Sequence, residues 1–309
     1  MTSIKTHSSL PMVSVIIPTH NRYPLVCRAI ESVLMQSYEN TQCIVIDDAS
    51  TDETVSQLRK KYQSKIVLLQ NETNKEKSYS RNKGVYSSSG EFVCFLDSDD
   101  TLTIDSIKSR VECFISDPLF DGVSFGLRRR AGKKNPSINT NEIVPSDAKL
   151  TLDEYLGNRS WLSNNSFLLR KTQMIDLGMY DEDLLVRGDQ ELLIRLLASL
   201  EFRFCGTVVT EIFEDATLRA RTSLEKIIKQ RDRFTSTLEK NPIVCQKLGE
   251  SLHKLKVHER GEVLRSLYQS RKYKEYREEY LNSIKQGIAP LKMRFLKRYL
   301  LSFIRKGIS

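Results

Sequence analysis

The aspartates of this 309-residue chain gather in short clusters: Asp47-Asp48 with Asp52 close behind, Asp97-Ser98-Asp99-Asp100, and Asp189 at the head of Asp189-Gln190-Glu191. The first two clusters each end an apolar run, and a third run, from Val13, ends in Pro18-Thr19-His20-Asn21-Arg22. Carboxylates that point into one crevice repel each other unless a cation or donor groups accompany them. A divalent metal resolves that repulsion. Mn²⁺ or Mg²⁺ prefers carboxylate and phosphate oxygens and usually keeps waters, so one or two aspartates plus a diphosphate complete its shell.

The elements that must position these residues can be read from periodicity. Strand candidates are Val13–Pro18, Cys43–Asp47, Ile66–Leu69 and Phe92–Leu96. Between and after them, Leu25–Met35, Thr54–Tyr62, Ser78–Ser87 and Ile104–Ile115 carry apolar residues at helical spacing. This rhythm predicts right-handed crossovers and a Rossmann-like, mainly parallel sheet flanked by helices, an α/β fold. Such sheets bind ligands at the carboxyl ends of their strands, where the aspartates fall. Further on, Arg128–Pro145 reads as a long mobile loop. A short helix near Leu152–Leu156, a strand Ser166–Leu169, a helix Gln190–Leu200 and a strand Arg203–Thr210 follow. From about Ser223 the text is helical and charged, with Pro242 and Pro290 as breaks and a helical-hairpin look over Tyr268–Tyr280.

Charge divides the chain further. Residues 216–309 hold 23 Lys+Arg and 9 Asp+Glu, whereas the preceding 215 hold 25 and 30. The split argues against a nucleic-acid-binding core and for an acidic catalytic part, 13–215, followed by a basic helical region, 216–309, that meets something anionic. Residues 1–12 are polar and expected to be flexible. The first apolar run is far shorter than a signal or membrane segment, which predicts a cytoplasmic location. The six cysteines contain no CxxC pair and read as buried free thiols.

The runs VSVIIPTHNR, VIDDASTDET, SRNKGVYSSSGEFVCFLDSDD and RGDQELLIRLL resemble the successive motifs of the family 2 inverting glycosyltransferases, which have the GT-A fold. The similarity covers roughly residues 13 to 210. It implies transfer of a sugar from a nucleotide-diphosphate sugar, a UDP-sugar above all, to an acceptor hydroxyl with inversion. The implied context is surface polysaccharide or glycan synthesis on a glycan or lipid-linked acceptor. By the same resemblance Pro18, Thr19 and Asn21 lie against the nucleoside, and Asp48, with Asp47 beside it, accepts from a uracil-type imide. Arg81 sits near the base and phosphates, Asp97 faces the ribose and Asp99 binds the metal. Asp189 falls on the family's general base. Here Gly188 replaces the family's preceding Glu, and Glu191 its following Asp, which removes a neighbouring carboxylate from the base.

Structural roles compete at several positions. Asp52 and Asp100 are expected to cap the helices after them, and Glu191 and Arg195 are spaced for an intrahelical ion pair. His20 reads as a turn residue. Trp161 divides between sugar platform and core, and Asn164 and Asn165 between the donor sugar and a structural role. Among functions, a sugar-nucleotide nucleotidyltransferase is the rival enzyme, yet no glycine-rich phosphate loop follows the first strand. A non-catalytic nucleotide-sugar-binding protein is the other alternative, and retention of Asp97, Asp99 and Asp189 speaks against it. In the tail, residues 285–309 contain seven Lys+Arg and no Asp or Glu. Drawn as a helix, they set Met293, Leu296, Leu300, Phe303 and Ile304 on one face. This pattern predicts peripheral contact with the inner face of the plasma membrane; the competing expectation packs that face on the catalytic domain or on a second subunit in a homo-oligomer.

Overall fold

The computed structural model describes residues 10–131, 149–157, 162–213, 224–289 and 293–304. Contacts group the chain into two compact units, Met1–Asp183 with Ser199–Leu218 and Leu184–Ala198 with Arg219–Ser309. The helix that carries Asp189 therefore groups with the tail, whereas composition alone suggests a division near residue 215.

The first unit is built on a nine-stranded sheet. Its strands are β1 (Val13–Thr19), β2 (Thr41–Asp47), β3 (Val67–Gln70), β4 (Phe92–Phe95), β5 (Thr101–Leu102), β6 (Val123–Arg130), β7 (Lys149–Leu150), β8 (Phe167–Arg170) and β9 (Phe202–Ile212). The helices are α1 (Leu25–Leu34), α2 (Thr54–Tyr62), α3 (Glu76–Ser87), α4 (Ser106–Ile115), α5 (Leu152–Gly157) and α6 (Lys171–Asp176). The order β3-β2-β1-β4-β8-β6-β9-β5, with β7 on β9, is parallel from β3 to β4. Beyond β4 it is mixed: β8 runs antiparallel to both β4 and β6, and β6 runs parallel to β9. The parallel half follows from the strand-helix-strand rhythm, because each crossover helix returns the chain in the same direction. The expected loop from Arg128 begins as strand instead, since Arg128 and Arg129 pair with Thr210 and Glu211 of β9; 132–148 lie outside the described residues.

β1 is fully buried along its length, and β2 and β4 are nearly so. Such double-sided burial suits the β-branched runs, which pack helices on both faces. Val15, Ile17, Val45 and Cys94 share one core cluster with Val26, Ala29, Ile30 and Leu58 of α1 and α2. On α3, a Cβ at Gly84 would meet Ile16 Cγ2 at 2.4 Å, so glycine lets this helix lie against β1. Arg81, one turn earlier, is thereby held over the sheet end. The flexibility expected of 1–12 stops short of Leu10–Met12, whose carbonyls accept from Asn40, Tyr38 and Phe92. The cysteines are free, with Cys27, Cys43, Cys94 and Cys113 buried and Cys205 and Cys245 partly so.

The second unit is helical: α7 (Gly188–Ser199), α8 (Leu224–Glu239), α9 (Pro242–Leu248), α10 (Glu250–Gln269), α11 (Tyr273–Lys285) and α12 (Met293–Ile304). Pro242 opens α9 as much as it breaks the preceding helix: it sits in the first turn, behind an Asn241 side chain that accepts from Val244 N at 3.1 Å. The Tyr268–Tyr280 stretch is a hairpin between α10 and α11, closed by ring contacts of Tyr268 with Tyr273 and Tyr276. Pro290 lies outside the described residues.

Candidate active site

The parallel half changes direction of growth at β1, whose neighbours are β2, leading to β3, and β4, leading away. A crevice opens at such a switch point, outside the carboxyl ends of the strands. Three turns meet there: Thr19–Arg22 after β1, Asp48–Asp52 after β2, and Asp97–Asp100 after β4.

The first two turns are locked together. Asn21 adopts a left-handed backbone (φ 50°), and its Oδ1 accepts from Thr51 N at 2.8 Å and Asp52 N at 3.2 Å. His20 Nδ1 meets the Asp48 carbonyl at 2.7 Å, the turn role expected of it. Asp47, fully buried, accepts from Ser50 N at 2.9 Å and from the Ser50 hydroxyl. Asp48 is buried too. Its carboxylate accepts from Asn71 Nδ2, Lys75 N and Glu76 N, each at 2.8 Å, which ties the β2 turn to the start of α3. Asp52 accepts from Thr54 N at 3.0 Å but is not the expected cap of α2, because Glu53 occupies the N-cap position, without a side-chain cap bond. Thr19, at the tip of β1, has a buried hydroxyl without a hydrogen-bond partner.

The third turn is differently arranged. Carboxylate oxygens of Asp97, Asp99 and Asp100 lie within 4.8 Å of one another. Arg81 Nη2 donates to Asp97 at 2.6 Å and Arg22 Nη1 to Asp99 Oδ2 at 2.5 Å. Arg28 donates to the Asp99 carbonyl at 2.7 Å, with its guanidinium 3.7 Å from the Phe213 ring centre. Burial pushes the Asp97 carboxyl up, but Lys77, Arg81 and Arg22 outweigh it and hold the group below the ordinary aspartate value. Asp100 goes the other way: burial first, then the charges of Asp97 and Asp99, push it up to about 7. It does not cap a helix, because β5 follows it at Thr101. It accepts from Asn165 Nδ2 at 2.6 Å and from Phe213 N at 3.2 Å.

Asn165 in turn accepts from Asp97 N at 3.0 Å, so one amide grips the turn at both ends. Asn164 bonds the Tyr180 hydroxyl at 2.9 Å. Both asparagines are buried and serve the scaffold. Trp161 lies outside the described residues. Sequence reasoning missed Arg28 altogether, named Arg22 only as part of its turn, expected Asp100 to cap a helix, and divided Asn165 between the donor sugar and a structural role. Arg22 closes the turn that begins at Pro18, which is a usable signal; nothing local marks Asn165, which bonds partners more than sixty positions away.

The donor set of the third turn suits a hard divalent cation. It consists of oxygens only, and one carboxyl is destabilised as an anion by burial and then by its crowded neighbours, a cost that a cation would relieve.

In the second unit, Asp189 lies in the first turn of α7 and accepts from Gln190 N at 3.0 Å. Glu191 is buried in the expected pair with Arg195, at 2.9 and 2.6 Å. The residue before the helix, Arg187, has φ 68° and reaches Glu259 of α10 at 3.2 Å, and Arg231 of α8 meets the same carboxylate at 2.8 Å. The start of α7 is thus fixed by a buried ion cluster.

Comparison with known proteins places these observations. The family model described as "Glycosyl transferase family 2" matches residues 14–184, over half of the chain. The UDP-Glc:alpha-D-GlcNAc-diphosphoundecaprenol beta-1,3-glucosyltransferase WfgD of Escherichia coli is 35% identical over 147 residues, 48% of this chain and 56% of that protein. The chain spans about half the length of the curated relatives it matches. The crystal structure of S. aureus TarS 1-349 in complex with UDP-GlcNAc aligns with a TM-score of 0.63 at 19% identity, covering 94% of this chain and 89% of that one. The longer S. aureus TarS structure aligns at 0.60 and 20%, covering 83% and 49%. This likeness shows a shared fold, the one the sequence motifs imply.

Proposed function

We propose, from the premise that this chain belongs to glycosyl transferase family 2, that it moves a sugar from a UDP-sugar to an acceptor hydroxyl with inversion, in the synthesis of a surface polysaccharide or lipid-linked glycan. The observation that carries this reading is the Asp97-Asp99-Asp100 cluster flanked by Arg22 and Arg81 at the sheet's switch point. WfgD, by its name, uses UDP-Glc and a diphosphoundecaprenol-linked acceptor, and TarS was crystallised with UDP-GlcNAc; both favour a uridine donor.

Asp99, with Asp97 and Asp100 beside it, would hold Mn²⁺ or Mg²⁺, which when bound supplies Lewis-acid neutralisation of a departing diphosphate. The chain's own residues do the rest. Arg22 and Arg81 are charged donors beside the acidic turn, suited to phosphate oxygens by their fork geometry. The unpartnered Thr19 hydroxyl, next to Pro18 and Asn21, is available to the nucleoside. Asp189 takes the proton of the acceptor hydroxyl while that oxygen forms its bond to the anomeric carbon. The bond from that carbon to the diphosphate oxygen breaks, and UDP leaves with the electron pair. Asp48 keeps a structural duty here, since three protein donors already hold its carboxylate; contact with the uracil imide uses its remaining lone pairs.

A panel of UDP-, GDP- and dTDP-sugars, assayed for slow donor hydrolysis with and without Mn²⁺, tests the reading. UDP release from one UDP-sugar in Mn²⁺ is expected. Hydrolysis of none, with no UDP binding by calorimetry, would remove the uridine assignment.

A further inference from the structure

The tail helix α12 has two apolar faces, and among the described residues only one of them is covered. Phe295, Tyr299 and Ser302 turn toward α11: Tyr276 donates to the Phe295 carbonyl at 2.9 Å, the tilted rings of Tyr280 and Tyr299 meet with centroids 5.1 Å apart, and Arg277 donates to the Ser302 carbonyl at 2.8 Å. Phe295 is 2% exposed and belongs to the cluster of Val263, Leu264, Leu267, Tyr276 and Tyr280. Met293, Leu296, Leu300 and Phe303 form a second stripe at helical spacing, exposed by 75, 40, 58 and 46%. Leu281 and Ile284, exposed by 46 and 52%, extend it. They share a side of α11 with Arg277, four and seven residues earlier, whose guanidinium lies 4.9 Å from the Phe303 ring.

The surroundings of this stripe say what covers it. Arg294 and Lys297 are exposed on its open flank, Lys285 is exposed at the end of α11, and residues 285–309 contain no acidic side chain. Along α12 the strip is bordered by cations, while on α11 the exposed Glu278 lies one turn before Leu281; the basic α12 face complements a surface with an apolar interior and anionic headgroups. A second copy of the chain would bring the same cations against these. One helix of twelve residues, about 18 Å long, also offers far less than the roughly 800 Å² per partner of a stable interface. No helix among the described residues is long and apolar enough to cross a membrane. We propose that the Met293-Leu296-Leu300-Phe303 face, with Leu281 and Ile284 beside it, seats on an anionic lipid bilayer, holding the protein peripherally and reversibly.

Vesicle flotation of the full chain tests this without reading any sugar chemistry, so its outcome is separable from that of the donor assay. The protein is expected to float with vesicles containing about a third phosphatidylglycerol at low salt. It should stay at the bottom with pure phosphatidylcholine, and largely so in about 1 M salt, where the Debye length falls to roughly 3 Å. Replacing Leu296, Leu300 and Phe303 together by Ser should reduce the floated fraction at least tenfold with an unchanged melting curve. The pair Arg294→Gln and Lys297→Gln, at exposed positions, should weaken binding on the order of tenfold and blunt its salt dependence. Flotation equal to wild type in both variants, or none by wild type, overturns the proposal. Light scattering adds the rival outcome: a wild-type dimer that the Ser variant dissolves, without vesicle binding, assigns the face to a second copy.

Discussion

Two acidic turns lie side by side at the end of the sheet, and they treat their carboxylates in opposite ways. In the β2 turn, Asp47 and Asp48 are buried and met by protein donors: Ser50 for the one, Asn71 and the amides of Lys75 and Glu76 for the other. In the β4 turn, three carboxylates crowd within 4.8 Å and lean on two guanidinium groups. A buried carboxylate saturated by main-chain amides holds loops together. A group of carboxylates that repel each other stores a demand for external positive charge. Sequence text alone, DD against DSDD, does not separate the two. The same contrast recurs within α7, where Glu191 is closed in a buried pair with Arg195 while Asp189, among the described residues, meets only the Gln190 amide.

The largest effect should come from the crowded turn. Asp99→Asn is expected to abolish turnover and erase the Mn²⁺ dependence of UDP binding, with the melting temperature nearly intact; titration calorimetry with and without the metal reads it. Unchanged metal dependence would place the cation elsewhere and break the contrast.

Next in size, Asp189→Asn should lower kcat by about 10²–10⁴-fold with donor affinity nearly unchanged, as removal of a general base does. Normal kcat with poor donor binding would move Asp189 to recognition.

The saturated turn should respond in stability rather than chemistry. Asp48→Ala removes the acceptor shared by Asn71 Nδ2 and the amides of Lys75 and Glu76, of which only Asn71 is buried, and should cost about 1–3 kcal/mol in urea unfolding. A loss under about 1 kcal/mol, with donor affinity reduced instead, would show that Asp48 belongs with the ligand-binding carboxylates.

A pH dependence separates the crowded turn from the saturated one. Asp100 binds its proton more tightly folded than unfolded, so its contribution to stability is full below the unfolded value near 4 and is lost as pH rises through about 7. Metal-free protein should therefore weaken between about pH 4 and 7, by up to roughly 4 kcal/mol at ~1.4 kcal/mol per pKa unit. Mn²⁺ should restore stability most above pH 7, where no proton competes. Asp100→Asn should flatten the profile; a profile as steep as wild type in that variant would assign the slope to other groups.

The sequence by itself determined the order of strands and helices in the parallel half, because burial on both faces of β1, β2 and β4 demands short, mostly apolar runs and each crossover demands an amphipathic helix. It also placed the polar turns at the strand ends, since α2 matches its expected bounds and β1, β2 and β4 end within one residue of theirs. Tertiary structure decided the rest. That Asp100 joins the acidic cluster rather than capping a helix depends on Asn165 and Phe213, 65 and 113 positions away. That β8 enters the sheet reversed between β4 and β6, and that α12 buries Phe295 but leaves Leu296 and Leu300 open, likewise depend on distant partners. Periodicity records which side of an element is apolar, and it carries no record of which distant group will satisfy a carboxylate or cover a face.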